Sequence, residues 1–164
     1  MILSDVLRPG LALVLCGSAP SRVSKEAQAY YAHPGNVFWK TLHEVGLTTR
    51  QLAPNEYPAV LDYGIGLTDL NKTEWGADSE LSRAAFDVPG FTAKMLANSP
   101  AIIAFDSKFV AQTFFGRKNV AYGPQSETLG NARLFVVPSP SGRARAYFDP
   151  GPWRDLAALV TSLR

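Results

Sequence analysis

The sequence predicts an α/β protein, a three-layer sandwich in which helices cover both faces of a central four-stranded parallel sheet. Short apolar runs of strand length are each closed by a turn residue: Leu11 to Cys16 stops at Gly17, and Leu134 to Val137 stops at Pro138. Helix-like segments separate the runs, and that alternation is the pattern of a parallel sheet with crossover helices. The chain has 164 residues, enough for one domain with a real core and too few for two ordinary ones, so residues 1–164 are expected to form a single unit.

Each element has its local reason. Leu11 to Cys16 is a continuous apolar run suited to a strand buried on both faces. Asn36 can cap a helix running to Val45 and closed by Gly46, with Val37, Phe38, Leu42 and Val45 mostly facing the core. Glu56 to Leu61 reads as a short helix interrupted by Pro58, and Ile65 to Leu70 as a short strand or loop. Asp78 or Ser79 can start a helix through Phe86, and Phe91 to Ala97 gives another. Ala101 to Phe105 is the second strand, followed by a helix from Lys108 to Phe115. Val120 to Tyr122 is expected as the third strand and Leu134 to Val137 as the fourth. Trp153 to Leu163 closes the chain as a helix with Pro152 near its first turn. The residues expected to be most buried are Leu13, Val14, Leu15, Ile102, Ile103, Phe135 and Val136.

Composition sets outer bounds. Apolar residues make up 46% and charged residues 18%, a balance that supports a packed core and excludes a disordered chain. The formal net charge is only +2, so the total does not mark a nucleic-acid binder. Its distribution is more suggestive: between Arg117 and Arg145 the bases are Arg117, Lys118, Arg133, Arg143 and Arg145, against the single acid Glu127. Cys16 is the only cysteine, which excludes an internal disulfide and an all-cysteine metal or cluster site within one chain. No His/Asp/Glu cluster has metal-ligand spacing, and neither metal nor cofactor is expected. The N-terminal apolar run is too short to span a membrane and no signal pattern precedes it. A cytoplasmic protein is expected, nucleoid-associated in a bacterium.

Open parallel sheets carry their sites beyond the carboxyl ends of the strands. Three loops fall there: Gly17 to Ser21, Gly66 to Lys72 and Pro138 to Arg145. They are expected to converge on one cleft.

Those loops hold the distinctive segments. The first lies in Leu15-Cys16-Gly17-Ser18-Ala19-Pro20-Ser21. Next comes Tyr31-Ala32-His33-Pro34-Gly35-Asn36-Val37-Phe38-Trp39-Lys40, and late in the chain Val136-Val137-Pro138-Ser139-Pro140-Ser141-Gly142-Arg143-Ala144-Arg145. Together, in this order, they resemble the mismatch-specific uracil-DNA and thymine-DNA glycosylase family, which carries Gly-Ile-Asn-Pro-Gly, Ala-His-Pro-x-Asn-x-Phe-Trp and Asn-Pro-Ser-Gly segments. Leu61-Asp62-Tyr63-Gly64-Ile65-Gly66-Leu67-Thr68 resembles the middle of the same pattern. The resemblance runs from Leu11 to the C-terminal helix.

It implies a monofunctional DNA glycosylase that flips a base, uracil first among candidates, out of DNA and cleaves its bond to the sugar. Gly17, Ser18 and Ala19 would bring backbone N–H groups to the departing base anion, as an oxyanion hole does. Tyr31 would stack on the base, a contact worth roughly 1–3 kcal/mol. Ser139 stands where the family has an asparagine, and can make a hydrogen bond but presents no amide edge. Ser141 and Gly142 would contact phosphate through their backbones. Arg143 aligns with the residue inserted into the gap, where it can meet the orphaned partner base or pair with phosphate, and Arg145 would hold phosphate. DNA is the implied partner and a monomer the implied state, since the cleft must admit a long duplex.

One position departs from the pattern. The family asparagine that orients the attacking water is replaced by Ala19, which holds no water. Asp69 is the first candidate to take over: it lies in Thr68-Asp69-Leu70, a loop expected beside the first one, and a carboxylate can activate water. Glu26 ranks second and Asp62 third. A lyase route would need an amine, and Lys72 is the nearest lysine. Ala19 equally motivates a rival, a damaged-DNA-binding protein of the same fold without turnover. A hydrolase of free nucleosides or nucleotides is a second rival, and would not need the Arg143 loop. A hydrolase triad from Ser18, His33 and His43 is discounted because Ser18 is not in a nucleophile elbow. Gly64-Ile65-Gly66 lacks the third glycine of a dinucleotide fingerprint.

Overall fold

A computed structural model describes residues 1–164. Five strands form one sheet: β1 (Leu13–Gly17), β2 (Ile65–Asp69), β3 (Ile102–Phe105), β4 (Gly123–Leu129) and β5 (Ala132–Val136), in the spatial order β2-β1-β3-β5-β4. The strands β2, β1, β3 and β5 are mutually parallel, and β4 runs antiparallel to β5 at the edge. The sheet thus has five strands rather than four, and the antiparallel one is the edge strand β4.

Successive residues of a strand point to opposite faces, and here both faces are covered. Leu13, Leu15, Ile65, Leu67, Ile102, Ala104 and Phe135 face one layer, built by helix α2 (Phe38–Glu44) and the C-terminal helix α5 (Gly151–Ser162) through Phe38, Trp39, Leu42, Trp153, Leu156 and Val160. Val14, Cys16, Ile103, Phe105, Leu134 and Val136 face the other, built by α3 (Val88–Asn98) and α4 (Lys108–Phe115) through Phe91, Met95, Val110 and Ala111. All seven residues expected to be most buried are 2% exposed or less. Trp153 joins its layer to the late loop, its indole N–H donating to the Pro138 carbonyl at 3.0 Å.

Several expected elements differ. A short helix α1 (Arg22–Ala27) occupies a stretch with no expected element; the Ser21 side chain caps it by accepting from the Ser24 N–H. Pro54–Tyr63 forms 3-10 turns around Pro58, which fits a proline that cannot donate an interior bond. In place of one helix from Asp78 to Phe86 there are two 3-10 turns, Asp78–Glu80 and Arg83–Ala85. Glu80 caps the first of these turns by accepting from the Ala77 N–H, and Glu74 accepts from both the N–H and the hydroxyl of Ser82, taking a backbone donor that a continuous helix would use. Val120 to Tyr122 is not a strand; the polar run Gly123–Leu129 is. No helix is long and apolar enough to cross a membrane.

Candidate active site

The strand order places chemistry at the carboxyl ends of β1, β2 and β3. The chain leaves β1, pairs β2 on one side, then crosses to β3 on the other, so a switch point opens beyond Gly17. Gly17 is in register with Asp69, and the Asp106 N–H donates to the Cys16 carbonyl at 3.0 Å. Val137, just past β5, donates its N–H to the Phe105 carbonyl at 3.0 Å and leads into Pro138 and Ser139.

A cleft of about 1240 Å³ opens over this row. Two of the three expected loops meet in it, and the third segment enters through Asp69 alone, which ends strand β2 and is not in a loop: Gly17, Ser18, Ala19, Asp69, Ser139, Ser141, Gly142, Arg143 and Arg145 all line the cleft, together with Tyr31. The loops also brace one another. The Leu70 and Asn71 N–H groups donate to the Gly17 and Ser18 carbonyls, each at 2.8 Å, and the Val37 N–H donates to the Pro140 carbonyl at 2.9 Å. The close approach of the last two segments explains Gly142: a Cβ there would lie 3.1 Å from the Gly35 carbonyl oxygen. His33 accepts the Gly35 N–H on Nδ1 at 2.9 Å, and Asn36 accepts the Phe38 N–H at 2.9 Å; both side chains shape the chain.

Gly17 is the crowded centre. A Cβ placed on it would lie 2.9 Å from Asp69 Oδ1, 2.9 Å from Asp106 Oδ2 and 3.4 Å from the Tyr31 hydroxyl. Both carboxyl groups therefore reach the same point, and at most twice that distance separates those oxygens. Asp69 and Asp106 are only 6% and 8% exposed. Asp69 Oδ2 is buried with no hydrogen-bond partner in the protein, a rare state for a carboxyl oxygen. Burial pushes the Asp69 carboxyl up to about 7, opposed by the charge of Lys72 and reinforced by that of Asp5. Burial pushes Asp106 up to about 8, opposed by the hydrogen bond from Tyr31 and reinforced by the charges of Asp69 and Asp78. Asp106 escaped the sequence reading, although it sits one residue past the strand expected from Ala101 to Phe105.

Tyr31 donates its hydroxyl to Asp106 Oδ2 at 2.7 Å. Burial and the two carboxylates hold its phenol well above the usual range, so it stays protonated as a donor. One face of its ring stacks on Phe38, with centroids 3.7 Å apart and planes 10° from parallel. Its φ of 52° is left-handed, a strained conformation for a tyrosine and of the kind that concentrates at functional sites.

The remaining candidates fall into place around this core. Ser18 donates to Asp78 Oδ1 at 2.6 Å, so its hydroxyl is engaged, while Ala19 adds no polar side chain to the cleft. The Ser139 and Ser141 hydroxyls accept from the N–H groups of Ser141 and Arg143 at 3.2 and 3.3 Å and fold the late loop. Arg143 and Arg145 are exposed on its 3-10 turn, Gly142–Tyr147. Glu26 lies outside the cleft lining and pairs with Arg22 at 3.6 Å, and Asp62 is exposed in the 3-10 stretch before β2. Lys72 is held by Asp5 at 2.8 Å. The basic run from Arg117 is not one surface, because Arg117 pairs with Glu127 away from the cleft. No group of three His, Cys, Asp or Glu side chains is placed to hold a metal ion. Trp75 and Asp78, which no motif singled out, also line the cleft, and Asp78 feels the charge of Arg143.

The fold and the cleft define the class, an α/β protein with a large cleft at the switch point of its sheet, built of small residues, an aromatic and two buried acids. The model of the uracil DNA glycosylase superfamily matches residues 4–160, and the chain belongs to that superfamily. Its fold is similar to the solution structure of a candidate uracil DNA glycosylase from Methanosarcina acetivorans, with a TM-score of 0.66, 20% identity and coverage of 97% of this chain and 96% of that one. Membership supports a DNA glycosylase activity.

Proposed function

We propose that this protein excises uracil from DNA, with tolerance for mispaired or deaminated bases, by the monofunctional route of the mismatch-specific uracil-DNA and thymine-DNA glycosylases. The observation that carries this reading is the convergence of the loops after β1 and β5 on one cleft with the buried Asp69, the last residue of β2. A base flipped into the cleft would lie on the face of Tyr31 that Phe38 leaves open, against Gly17, Ser18, Ala19 and Ser139. Asp69 takes the place of the missing asparagine, orienting water and accepting its proton. Ser141, Gly142, Arg143 and Arg145 would grip the strand beside the flipped nucleotide, with a monomer acting on the DNA.

The deciding experiment is a cleavage assay on single- and double-stranded oligonucleotides carrying uracil, a thymine mispair, xanthine or hypoxanthine. Abasic product from the uracil substrate is expected. Ala19 favours a second reading, a damaged-DNA-binding protein of the same fold: tight binding of the uracil duplex with no abasic product from any substrate is the result that selects it.

The arginine loop gives a separate expectation. Arg143→Ala with Arg145→Ala should weaken DNA binding and lower the slope of log affinity against log salt by about one for each phosphate no longer neutralised. Arg143→Ala alone should alter opposite-base preference more than bulk affinity. Binding isotherms at several salt concentrations check both, and unchanged affinity in the double variant removes this loop from the interface.

A further inference from the structure

Water activation by Asp69 leaves a second buried acid of the same cleft unused. Asp106 stands one residue past β3, across Gly17 from Asp69, and lines the cleft. Its Oδ2 accepts the Tyr31 hydroxyl, while Oδ1 makes no hydrogen bond within the protein. A carboxyl group held in this way by one oxygen can carry a proton on the other and keep its orientation.

Resting on the glycosylase reading above, we propose that Asp106 is the general acid of the reaction, handing its proton to the departing base while Asp69 takes one from water on the other side of Gly17. The site then releases the base as a neutral molecule, and its substrates include bases that leave poorly as anions. The step balances. The water oxygen bonds to the sugar carbon, the bond from that carbon to the base nitrogen breaks, and its electron pair passes to the base. Asp106 protonates the base and Asp69 holds the proton taken from water, which returns to Asp106 through solvent.

The surroundings fit opposite roles for two like residues. The titratable groups facing Asp106 are Tyr31, Asp69, Asp78 and Cys16, none of them a cation, whereas Asp69 has Lys72 behind it as well as Asp5. Burial, with carboxylate neighbours and no cation beside it, favours the protonated form of Asp106, and burial likewise raises Asp69 but Lys72 favours its ionised form. The one acid with a cation beside it is thus the one assigned the base role.

The test is the pH–rate profile of single-turnover cleavage of a uracil oligonucleotide by the full chain, repeated with 5-fluorouracil, whose electron-withdrawing substituent makes it a better anionic leaving group. The wild-type profile should be bell-shaped. Asp106→Asn, which can still accept from Tyr31, should lose the alkaline limb and about 10²–10⁴-fold in rate on uracil, with a smaller loss on 5-fluorouracil. Tyr31→Phe keeps the ring but removes the bond that favours the Asp106 anion, so its alkaline limb should move to higher pH. If wild type cleaves uracil while Asp106→Asn keeps its rate and its alkaline limb, the acid role is overturned and the glycosylase reading stands. Should Asp106→Asn fail to fold, an unmoved alkaline limb in Tyr31→Phe overturns the acid role instead. Absence of abasic product from wild type on every base overturns both.

Discussion

Asp69→Asn is expected to keep DNA binding and to lose turnover by a factor of about 10²–10⁴, the usual weight of a positioned general base. The amide matches the carboxylate in shape and can still orient water through its oxygen, but it cannot take the proton. The acid limb of the pH–rate profile, set by the Asp69 carboxyl at about 7, should vanish with it. Stability should move the other way. The folded carboxyl lies above its unfolded value of 3.8, so its contribution is fully present below that value and is lost as pH rises through about 7. A pKa raised by one corresponds to about 1.4 kcal/mol, so ionised Asp69 costs the wild type a few kcal/mol above neutrality. The variant is free of that cost, although its amide N–H groups must find partners where Oδ2 has none. Thermal unfolding at pH 6 and pH 9 should show the variant gaining on wild type as pH rises. Full turnover in the variant, or a stability gap independent of pH, would sink the assignment.

Gly17→Ala should cost about 10²-fold or more in rate with little change in fold. Gly17 is not among the residues of positive φ, so alanine meets no backbone strain there. The cost is local: the methyl group would sit 2.9 Å from one oxygen of each acid, closer than carbon and oxygen tolerate. Asp69 is held in register with Gly17 and Asp106 is fastened to Cys16 and Tyr31, so relief requires the carboxyl groups to swing off their positions. A misplacement of about 1 Å at reacting groups can cost 10²-fold. The loss should fall on kcat rather than on DNA affinity, and retained kcat would show that the two acids do not need their spacing around Gly17.

Much of the fold was legible locally. The helix from Lys108 to Phe115 has the bounds its pattern predicts, ended by Gly116 in the left-handed conformation at φ 70°. The strand at β4 was missed for a physical reason: Gly123–Leu129 is an edge strand of polar and small residues, stabilised by pairing with β5 and not by an apolar face. One signal was available there, the Gly130-Asn131 pair between Leu129 and Ala132, which are partners across a two-residue hairpin. The helix expected from Asp78 breaks at Ser82, whose N–H is taken by the Glu74 side chain instead of an intrahelical carbonyl, although Glu80 caps the first turn by accepting from the Ala77 N–H.

The sequence by itself determined the α/β class, the buried strands and the three segments that meet at the cleft, because apolar period, turn residues and segment order are local properties that survive in the fold. It also marked Asp69 and Tyr31 through their places in those segments. Only the tertiary structure decided that Asp106 belongs with them. That depends on β1 lying between β2 and β3, which brings acids 37 positions apart in the chain to the two sides of one glycine. Strand order is settled by how whole layers of helices pack on the sheet, and no short stretch of residues encodes it.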